Sequence, residues 1–558
     1  MRGLRGKRST LFWIARRIRR RIPAIGLLVL LQVCGSLLSV WFALGTRGVI
    51  DSASGLDRVG FRLACLKLGA MILGIMGCYV LTRALRDKTA ADLERDWKKR
   101  LLHGLLRGEY TSVSGYHSAE LLNRMNGDVA RVNEGILGIL PGAVSMVVRL
   151  VAAVSVLGAL DLRFTGLMAA MGLVLIGATG LMRRRLKELN KRVAEHDGKV
   201  SGFLQETMEK LLLVQAMDIA PEVERRADGL LGERYRLQRI RRKVSLITGT
   251  GMNLLSLGVS FLALVWCAGR MLLGQMTFGS LTAVLQLVNQ LQTPFMNLSG
   301  IMPRYAAVLA SAERLMELED IPRDMDPEDR DPGALYASGT EFRGEGLRFS
   351  YDRDVLLEDA SFSLPKGSFA VITGPSGIGK STLLKLLLGI LRPEAGELYL
   401  QTGSGKLPLD RRTRRLFAYV PQGNLLFSGT IRENLTITKP DATEEELRQA
   451  IHVSAMEEFL PQLPRGLDTV LGENAQGLSE GQAQRLSIAR AVLSGAPVLL
   501  LDECTSALDA ATEETVLRRL KALPGKTTIA VTHRPAALTL ADRRIAVEHG
   551  TLRCDTEG

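Results

Sequence analysis

The sequence predicts an all-α, six-helix transmembrane domain followed by an α/β P-loop domain. Long apolar runs are concentrated between residues 22 and 300 of the 558-residue chain, and a Pro- and Asp-rich stretch, EDIPRDMDPEDRDPG, follows Leu318. Beyond this stretch, a short apolar segment, a glycine-rich loop and a second apolar segment follow one another, as in a strand, loop and helix. Because a single hydrophobic core stops growing at about 250 to 300 residues, such a chain divides into domains.

The composition changes along the chain set the predicted domain boundaries. We place an interfacial N-terminal helix at residues 1–21, the membrane domain at 22–318, a linker at 319–339 and the second domain at 340–558. The basic opening segment is also typical of a transit peptide, but an interfacial helix that leads into the first span is favoured.

Six apolar stretches of about 20 residues are long enough to cross a membrane as helices. They lie near residues 22–45, 60–84, 136–160, 164–182, 245–268 and 278–300. The connections at 85–135 and 183–244 are long and rich in Lys and Arg, whereas the other loops are short. The positive-inside rule therefore places the N-terminus, both long loops and the C-terminus in the cytoplasm.

The formal net charge of +14 raises the question of a nucleic-acid partner. The basic residues lie beside the apolar runs, as at Arg183–Arg185 and Arg239–Lys243, and no nucleic-acid recognition motif accompanies them. Their position indicates membrane topology, and we expect no nucleic-acid partner.

Polar residues inside the apolar runs are candidates for a substrate path. Gln286, Asn289 and Gln290 share one face of the last span, and Arg149 lies within the third. Hydrogen bonding between helices is the alternative for the amides, and pairing with a carboxylate or snorkelling is the alternative for Arg149. Our hypothesis is that these four residues line the path and that Arg149 contacts an anionic group.

The apolar segment Phe369–Thr373 reads as a buried strand and is followed by a P-loop. The loop residues are Gly374, Pro375, Ser376, Gly377, Ile378, Gly379, Lys380, Ser381 and Thr382. Glycines let backbone N–H groups approach phosphates, Lys380 supplies a positive charge, and the Ser381 hydroxyl is suited to bind Mg²⁺.

A second apolar strand, Val498–Glu503, ends in two acids. Such a strand places Asp502 at the carboxyl edge of the sheet, near the Mg²⁺ of the P-loop. Glu503 is our candidate general base for activating a water molecule.

The ordered set YVPQ at Tyr419–Gln422, LSEGQ at Leu478–Gln482, LLLDECTSALD at Leu499–Asp509 and VTHR at Val531–Arg534 resembles the ATP-binding cassette (ABC) transporter superfamily. With the six preceding spans, the whole chain resembles the exporter-type half-transporters. The resemblance implies ATP and Mg²⁺ as cofactors, ATPase activity, and a multi-pass protein of a bacterial cell membrane whose ATPase domain is cytoplasmic.

The resemblance also implies roles for individual residues. Tyr351 would stack on adenine, Gln422 would reach the metal and the attacking water, and His533 would contact the γ-phosphate. Ser479, Gly481 and Gln482 would bind ATP held by the opposite chain, and Asp509 would link the two sites. Tyr110–Asn123 and Val214–Pro221 look like coupling elements, with Glu473 beside them. The partners would be a second half-transporter chain, membrane lipids and the transported substrate.

One departure from the family pattern is Glu480, which occupies the position of a glycine in the signature. A carboxylate close to a triphosphate is unfavourable unless it points away or pairs with a cation. We prefer a homodimer, because Glu503, Gln422 and His533 are all present, while the altered signature keeps a heterodimer open. The expected function is export of an amphipathic, peptide-like or lipid-like substrate. The alternatives are a lipid flippase and an ATP-gated channel or regulatory membrane protein.

Overall fold

The computed structural model describes residues 2–324, 331–351, 354–423, 426–472 and 475–555, without the side chains of 2–9, of 293–303 and of most positions in 173–187. The chain forms two compact units. One contains Met1–Gly104 and His117–Asp320, and the other contains Leu105–Tyr116 and Ile321–Gly558. One short segment, Leu105–Tyr116, thus belongs to the second unit although the chain on both sides of it belongs to the first. The final boundary between the units follows Asp320, which lies inside the predicted linker. The linker positions 325–330 lie outside the described residues.

Long helices dominate the chain up to Glu319. In order they are α1 (Arg2–Arg17), α2 (Ile22–Ser54), α3 (Arg58–Leu106), α4 (Tyr110–Ser114), α5 (Ser118–Asn123), α6 (Val129–Glu134), α7 (Leu140–Leu160), α8 (Leu162–Glu209), α9 (Leu211–Ala216), α10 (Ala220–Leu272) and α11 (Phe278–Glu319). Two π-helical turns, Arg124–Asp128 and Gly135–Ile139, join α5, α6 and α7 into one continuous helical stretch. The two long connections predicted to be cytoplasmic are thus largely helical.

Local sequence determines where several of these helices begin. The Asp161 carboxylate accepts hydrogen bonds from the backbone N–H groups of Arg163, at 3.0 Å, and Phe164, at 3.1 Å, and so caps α8. Pro221 occupies the first turn of α10, where its missing N–H costs nothing. Asp161 is the only residue between α7 and α8, and Met217–Ile219 connect α9 to α10. Because these connections are so short, the helices run as hairpins.

Four helical stretches in the described part of the chain are long and apolar enough to cross a membrane. They are Arg19–Ser54, Arg58–Leu106, Ser118–Leu160 and Ala220–Leu272, and they contain the first, second, third and fifth predicted spans. The fourth and sixth predicted spans lie in α8 and α11, which include positions whose side chains are not described. A helical membrane domain is confirmed, and the number of six spans stays a prediction.

The helices of this unit bury an apolar core while leaving an apolar outer surface. Val40, Ala153, Leu157, Phe164 and Leu287 are among the buried residues of the core. On α3, by contrast, Leu66 and Leu73 are 73% and 75% exposed. Large exposed apolar side chains along a membrane-spanning helix are expected to contact lipid rather than water.

A buried ion pair joins the π-helical turn Arg124–Asp128 to α11. Asp128 is 1% exposed, and its carboxylate accepts hydrogen bonds from Arg314 Nε at 2.8 Å and Nη2 at 2.6 Å. The Ser311 hydroxyl donates a further hydrogen bond of 2.9 Å, and Arg131 contributes one of 2.9 Å. These donors offset the desolvation of the carboxylate, so the turn before the third predicted span and the part of α11 beyond the sixth predicted span are joined by charge as well as by packing.

The second unit contains an α/β fold built on two sheets. Its strands are β1 (Gly339–Tyr351), β2 (Asp354–Pro365), β3 (Phe369–Thr373), β4 (Ala395–Thr402), β5 (Gly405–Pro408), β6 (Phe417–Val420), β7 (Gly429–Thr430), β8 (Val470–Leu471), β9 (Val498–Asp502), β10 (Thr527–Val531), β11 (Arg543–Glu548) and β12 (Thr551–Asp555). Its helices beyond the linker are α12 (Pro332–Ser338), α13 (Lys380–Leu387), α14 (Ile431–Thr436), α15 (Glu444–Val453), α16 (Glu480–Leu493), α17 (Ala510–Lys521) and α18 (Pro535–Leu540).

The larger sheet has the strand order β12-β11-β3-β10-β9-β6, and all its pairs are parallel except β11 with β12. A second, antiparallel sheet has the order β2-β1-β4-β5. The strands β3, β9 and β10 are buried along almost their whole length, as is typical of parallel strands covered on both faces. Their carboxyl ends meet at one edge, where ligands bind in such sheets.

The segment Leu105–Tyr116 belongs to the α/β unit because its backbone pairs with the linker. Gly108 and Arg323 form an antiparallel bridge, and the Glu109 N–H donates to the Pro322 carbonyl at 2.8 Å. The Asp324 carboxylate then accepts hydrogen bonds from Arg411 at 3.2 Å and from Arg414 at 3.0 Å. Helix α4 is therefore held on this unit through the linker.

We expect Asp128→Asn to lower the free energy of unfolding by about 2 kcal/mol, because the amide cannot accept the charge-assisted hydrogen bonds of Arg314. The measurement is the thermal unfolding midpoint of the full chain in detergent. Arg131→Gln is the matched control, because Arg131 contacts the same carboxylate but its side chain is 51% exposed, and its loss should cost less than about 1 kcal/mol. An unchanged midpoint in Asp128→Asn would contradict a stabilising role for the pair.

Candidate functional site

The P-loop connects β3, in the interior of the larger sheet, to the N-terminus of α13. Gly374, Gly377 and Gly379 have φ values of 143°, 79° and 108°, which are strained for any residue with a Cβ. A Cβ at Gly374 would also lie 2.7 Å from the carbonyl oxygen of Val547. Glycine at these positions lets the loop curl closely in front of the helix N-terminus, a geometry that suits a phosphate group.

Lys380 lies inside the curve of this loop. Its ammonium group donates hydrogen bonds to the carbonyl oxygens of Gly374 at 2.7 Å and Pro375 at 2.9 Å, and the residue is 5% exposed. Pro375, Ser376 and Gly377 form the exposed crest of the loop, whereas Thr382 is buried behind it. The loop therefore presents a buried positive charge surrounded by backbone.

The Ser381 hydroxyl donates a 3.0 Å hydrogen bond to Asp502 Oδ1, at the end of β9. The Tyr419 hydroxyl donates to the other oxygen of the same carboxylate, also at 3.0 Å. Burial of Asp502 raises the pKa of its carboxyl group, and the two hydroxyl donors oppose that shift. The structure thus brings together Ser381 and Asp502, two of the three predicted metal-binding residues, the third being Gln422.

Glu503 is the first residue after β9. Its φ of 48° is in the left-handed region, and its backbone N–H donates to the Val531 carbonyl at 3.0 Å. The Gln422 side-chain amide donates a 2.7 Å hydrogen bond to Glu503 Oε2. The predicted general base and the predicted water-contacting glutamine are therefore direct partners. A strained backbone at a functional position is held only where surrounding contacts determine it, as the Val531 hydrogen bond does here.

His533 and Tyr351 occupy two exposed positions. His533 follows β10 by two residues, and its side chain is exposed at the same sheet edge. Tyr351 ends β1, is 42% exposed, and packs edge-on against Phe349 with ring centroids 5.0 Å apart. Its ring is therefore braced at its edge and available for stacking.

The signature residues are arranged around the start of α16. Ser479 caps this helix by accepting a hydrogen bond from the Gln482 N–H at 3.3 Å, and the Gln482 side chain accepts one from the Ser479 N–H at 2.9 Å. A Cβ at Gly481 would lie 2.9 Å from the Ala507 carbonyl oxygen. Glu480 is exposed in the first turn of α16, where a negative charge is favourable. In the described part of the chain, no hydrogen bond joins Ser479, Gly481 or Gln482 to the P-loop.

Asp509 caps α17 by accepting a 3.0 Å hydrogen bond from the Thr512 N–H, which lowers the pKa of the Asp509 carboxyl group. The loop before it is positioned by Gln484, which our sequence reasoning missed. This buried side chain accepts from the Ala507 N–H at 3.1 Å and donates to the Ser506 hydroxyl at 3.1 Å. A polar residue within the mostly apolar buried face of α16 is the sequence signal that could have identified it.

Tyr419 is a second residue whose contact the sequence did not reveal. It belongs to the YVPQ motif, but its hydrogen bond to Asp502 became visible only in the fold. Burial raises the pKa of its hydroxyl group, with smaller contributions from Asp502 and from Tyr110 on α4.

The second predicted coupling element, Val214–Pro221, contains the end of α9 and the start of α10. Asp218 turns the chain with a φ of 51°. Met217 and Ile219, within this segment, are 63% and 39% exposed. Exposed apolar side chains at a helical tip are typical of a docking surface. Glu473, predicted to lie beside the coupling elements, is outside the described residues.

The predicted substrate-path residues occupy different environments. Arg149 Nη2 donates to the Ser36 hydroxyl on α2 at 3.4 Å, and Gln290 Nε2 donates to the Ser39 carbonyl on the same helix at 2.8 Å. Gln286 is half-buried and Asn289 is exposed. Arg149 and Gln290 thus both contact α2. Gln290 makes the interhelical hydrogen bond that was its alternative role.

Two oxygen-bearing side chains at the sheet edge are candidates to hold a metal ion. Among the described residues, no group of three or more His, Cys, Asp or Glu side chains is arranged so that it could hold a metal ion by itself. The oxygens of Ser381 and Asp502 lie 3.0 Å apart, and oxygen ligands of this kind fit Mg²⁺, which commonly takes only one or two protein carboxylates. The donor set therefore fits Mg²⁺ held jointly with a phosphate group.

Two family models match the chain. The model described as ABC transporter transmembrane region matches residues 22–295, and the model described as ABC transporter matches residues 357–506. The first match lies mostly in the helical unit and the second lies within the α/β unit, in the order that the sequence motifs predicted.

Individual relatives agree with the family models. The chain is 33% identical over 401 residues to the mycobactin import ATP-binding/permease protein IrtB of Mycolicibacterium thermoresistibile, a match that covers 69% of this chain and 66% of that protein. It is 31% identical over 381 residues to the ATP-dependent lipid A-core flippase of Desulfotalea psychrophila, covering 66% and 64%. It is 26% identical over 531 residues to the uncharacterized ABC transporter ATP-binding protein y4gM of Sinorhizobium fredii, covering 94% and 90%.

The fold is also similar to a solved structure, that of a bacterial Atm1-family ABC exporter with ATP bound. The TM-score is 0.79 at 22% sequence identity, and the match covers 97% of this chain and 95% of the other. The predicted order of a helical membrane domain and an α/β domain is therefore confirmed.

We expect Gly481→Ala to destabilise the chain by about 1–3 kcal/mol, because the new Cβ would press on the Ala507 carbonyl. The measurements are the thermal unfolding midpoint of the full chain and hydrogen exchange of the amides between β9 and α17, which should become faster. Gly403→Ala is the matched control, since a Cβ at Gly403 meets nothing within 4 Å. Equal stability and exchange in the two variants would contradict the close approach.

Proposed function

Because the chain belongs to the ABC transporter family, we propose that it is a half-transporter, two copies of which form an ATP-hydrolysing membrane transporter that works by alternating access. The observation that carries the proposal is the contact set at one sheet edge. There the P-loop residue Ser381 is bonded to Asp502, and Glu503 is bonded to Gln422. A helical membrane unit on the same polypeptide gives hydrolysis a mechanical output.

Glu503 acts as the general base in this proposal. A water oxygen attacks the γ-phosphorus, the bond between that phosphorus and the ADP oxygen breaks, and a water proton passes to the Glu503 carboxylate. Gln422 donates to one Glu503 oxygen and so orients the carboxylate. Lys380 binds the outer phosphates, and His533 contacts the γ-phosphate from the end of β10.

Ser381, Asp502 and Gln422 would hold Mg²⁺ together with the phosphates. When bound, this ion neutralises charge that develops on the phosphate oxygens. Tyr419 and Ser381 keep the Asp502 carboxylate in place by donating to its two oxygens. Tyr351, exposed at the end of β1, stacks on the adenine ring.

The signature supports a dimer. Ser479 and Gln482 cap α16, and in the described residues they have no hydrogen bond to the P-loop of their own chain. They are therefore available to bind ATP held by a second chain. Asp509 lies close to this surface and links the two sites. We propose a homodimer, because Glu503, Gln422 and His533 are all present in this chain, and a heterodimer remains the alternative.

The membrane unit would have six spans, with α8 and α11 supplying the fourth and sixth. The N-terminus, the long connections and the α/β unit would face the cytoplasm of a bacterial cell. The two coupling elements are the segment Tyr110–Asn123 and the tip Val214–Pro221. The first is supported by the backbone pairing of Gly108 with Arg323, and the second by its exposed apolar side chains.

The transported substrate would be amphipathic, peptide-like or lipid-like. A lipid flippase is the second candidate, and the similarity to the lipid A-core flippase favours it. Movement of a labelled lipid between leaflets of reconstituted vesicles, measured with and without ATP, distinguishes the two candidates. Passive substrate flux with ATP bound would instead indicate a gated channel.

We expect Glu503→Gln to lower ATP turnover at least about 100-fold while ATP binding is retained, because the amide cannot accept a proton. The measurements are phosphate release and binding of a labelled ATP by the purified chain. The matched control is Glu514→Gln on α17, whose side chain is 54% exposed and paired with Arg518, and its turnover should match the wild type. Undiminished turnover in Glu503→Gln would refute the general-base role.

Glu480→Gly tests the altered signature. Glu480 is exposed at the N-terminus of α16. We therefore expect its replacement by glycine to lower the KM for ATP about three-fold or more, because repulsion between its carboxylate and the triphosphate in the dimer is relieved. The measurement is ATP turnover as a function of ATP concentration at low ionic strength. A KM unchanged between Glu480→Gly and the wild type would mean that the side chain faces away from the bound nucleotide.

A further inference from the structure

A cavity of about 850 Å³ lies within the membrane unit, bounded by α2, α3 and the segment from α6 to α7. Three arginines line it: Arg83 and Arg86 on α3, and Arg149 on α7. Leu31 and Ile75 add apolar wall between the polar side chains. A cavity of this size accommodates a small organic ligand with both an apolar and a polar part.

Arg149 is half-buried, and no carboxylate among the described residues compensates its charge. Its Nε atom is buried without a hydrogen-bond partner, and its Nη2 makes only a long 3.4 Å contact with Ser36. In the described residues, no carboxylate forms an ion pair with Arg149. The side chains that are not described in this unit include no Asp or Glu, because residues 2–9, 173–187 and 293–303 contain neither. An unpaired guanidinium in a membrane-spanning helix is costly and marks a functional position.

The acidic residues of the cavity are already matched by other cations. Glu94 pairs with Lys98 at 2.7 Å, and Glu134 pairs with Arg304 at 4.0 Å. Asp87 lies four residues after Arg83 on α3, a spacing that makes their side chains neighbours on one face of the helix. The three carboxylates are thus compensated without Arg86 or Arg149. The lining itself holds three arginines and three carboxylates, and because Lys98 and Arg304 outside it pair with two of the carboxylates, Arg86 and Arg149 are left without a paired carboxylate among the described residues.

Arg86 and Arg149 lie at separate levels of the cavity. The Arg86 guanidinium lies 3.4 Å from the position of a Cβ on Gly138, which precedes Arg149 by eleven residues along the helical stretch. At 1.5 Å per residue, the two levels are about 16 Å apart at the backbone. Asn133 Oδ1, another buried atom without a partner among the described residues, lines the same cavity and can accept from a hydroxyl or N–H group.

We propose that this cavity receives an anionic amphiphile, whose phosphate or carboxylate groups are bound by Arg149 and Arg86 while its apolar part packs between them. The inference rests on the proposed transport function, for which it defines the substrate class. The anion supplies the compensating charge that the protein lacks. Arginine is suited to this role, because its planar guanidinium binds phosphate and carboxylate oxygens in pairs.

The test uses the full chain in discs of zwitterionic phosphatidylcholine. Stimulation of ATP turnover is measured with decyl phosphate and with its zwitterionic counterpart decylphosphocholine, both below their micellar concentrations. For the wild type, we expect half-maximal stimulation at an about ten-fold lower concentration of decyl phosphate. Because the single phosphate of decyl phosphate can bind at either level, Arg149→Gln and Arg86→Gln should each reduce this preference about two-fold or more, the variant with both changes should abolish it, and Arg149→Lys should retain part of what Arg149→Gln loses.

Arg62→Gln is the matched control, because Arg62 lies on α3 with Arg86 and does not line the cavity. It should keep the wild-type preference. Including phosphatidic acid in the discs distinguishes the two sources of the anion. If a lipid headgroup is the natural ligand, phosphatidic acid will compete with decyl phosphate in the wild type but not in the variant with both Arg149→Gln and Arg86→Gln. If a soluble amphiphile is the ligand, no competition will appear.

An equal wild-type response to the two decyl compounds, or an unchanged preference in both Arg→Gln variants, would overturn the proposal. A wild-type chain without any ATP turnover would instead contradict the proposed function. In that case, equilibrium binding of radiolabelled decyl phosphate to the detergent-purified wild type, Arg149→Gln and Arg62→Gln chains still tests the cavity. Equal binding by all three would overturn the proposal.

Discussion

The hydrogen bond from Ser381 to Asp502 is the interaction on which the nucleotide-binding edge depends. It connects the first turn of α13, the helix that follows β3, to the end of β9. In the sheet, β10 lies between β3 and β9, and the carboxyl ends of these parallel strands lie at one edge. Asp502 is 2% exposed, so its carboxylate requires hydrogen-bond donors, and Ser381 and Tyr419 provide them. The strand that ends in Asp502 also sets the position of Glu503, and thereby its contact with Gln422.

The same edge is connected to the rest of the α/β unit through Tyr419. The Tyr419 hydroxyl donates a hydrogen bond to Asp502, and Tyr110 on α4 contributes slightly to the raised pKa of that hydroxyl group. Helix α4 is in turn held by the pairing of Gly108 with Arg323 and by the ion pairs of Asp324. Helix α4 is thus attached to the same unit as the nucleotide-binding residues.

Buried charge is treated in two opposite ways in the membrane unit. Asp128 is surrounded by Arg314, Ser311 and Arg131, and the resulting network joins the π-helical turn to α11. Arg149, by contrast, has a buried Nε without a partner and faces a cavity. A compensated charge strengthens the contact between helices, whereas an uncompensated one attracts a ligand of opposite charge. The contrast distinguishes structural from ligand-binding roles for ionic groups in one domain.

The sequence by itself determined the order of the domains, the strand Phe369–Thr373, the P-loop and the acids that follow β9, because these depend on residues that are neighbours in the chain. Only the tertiary structure decided the second anchor of Asp502 at Tyr419, the support of the Asp509 loop by Gln484, and the assignment of Leu105–Tyr116 to the α/β unit. Only the fold also separated the compensated Asp128 from the uncompensated Arg149. The physical reason is that these contacts join residues far apart in the chain or on different elements, and no local pattern encodes such distances.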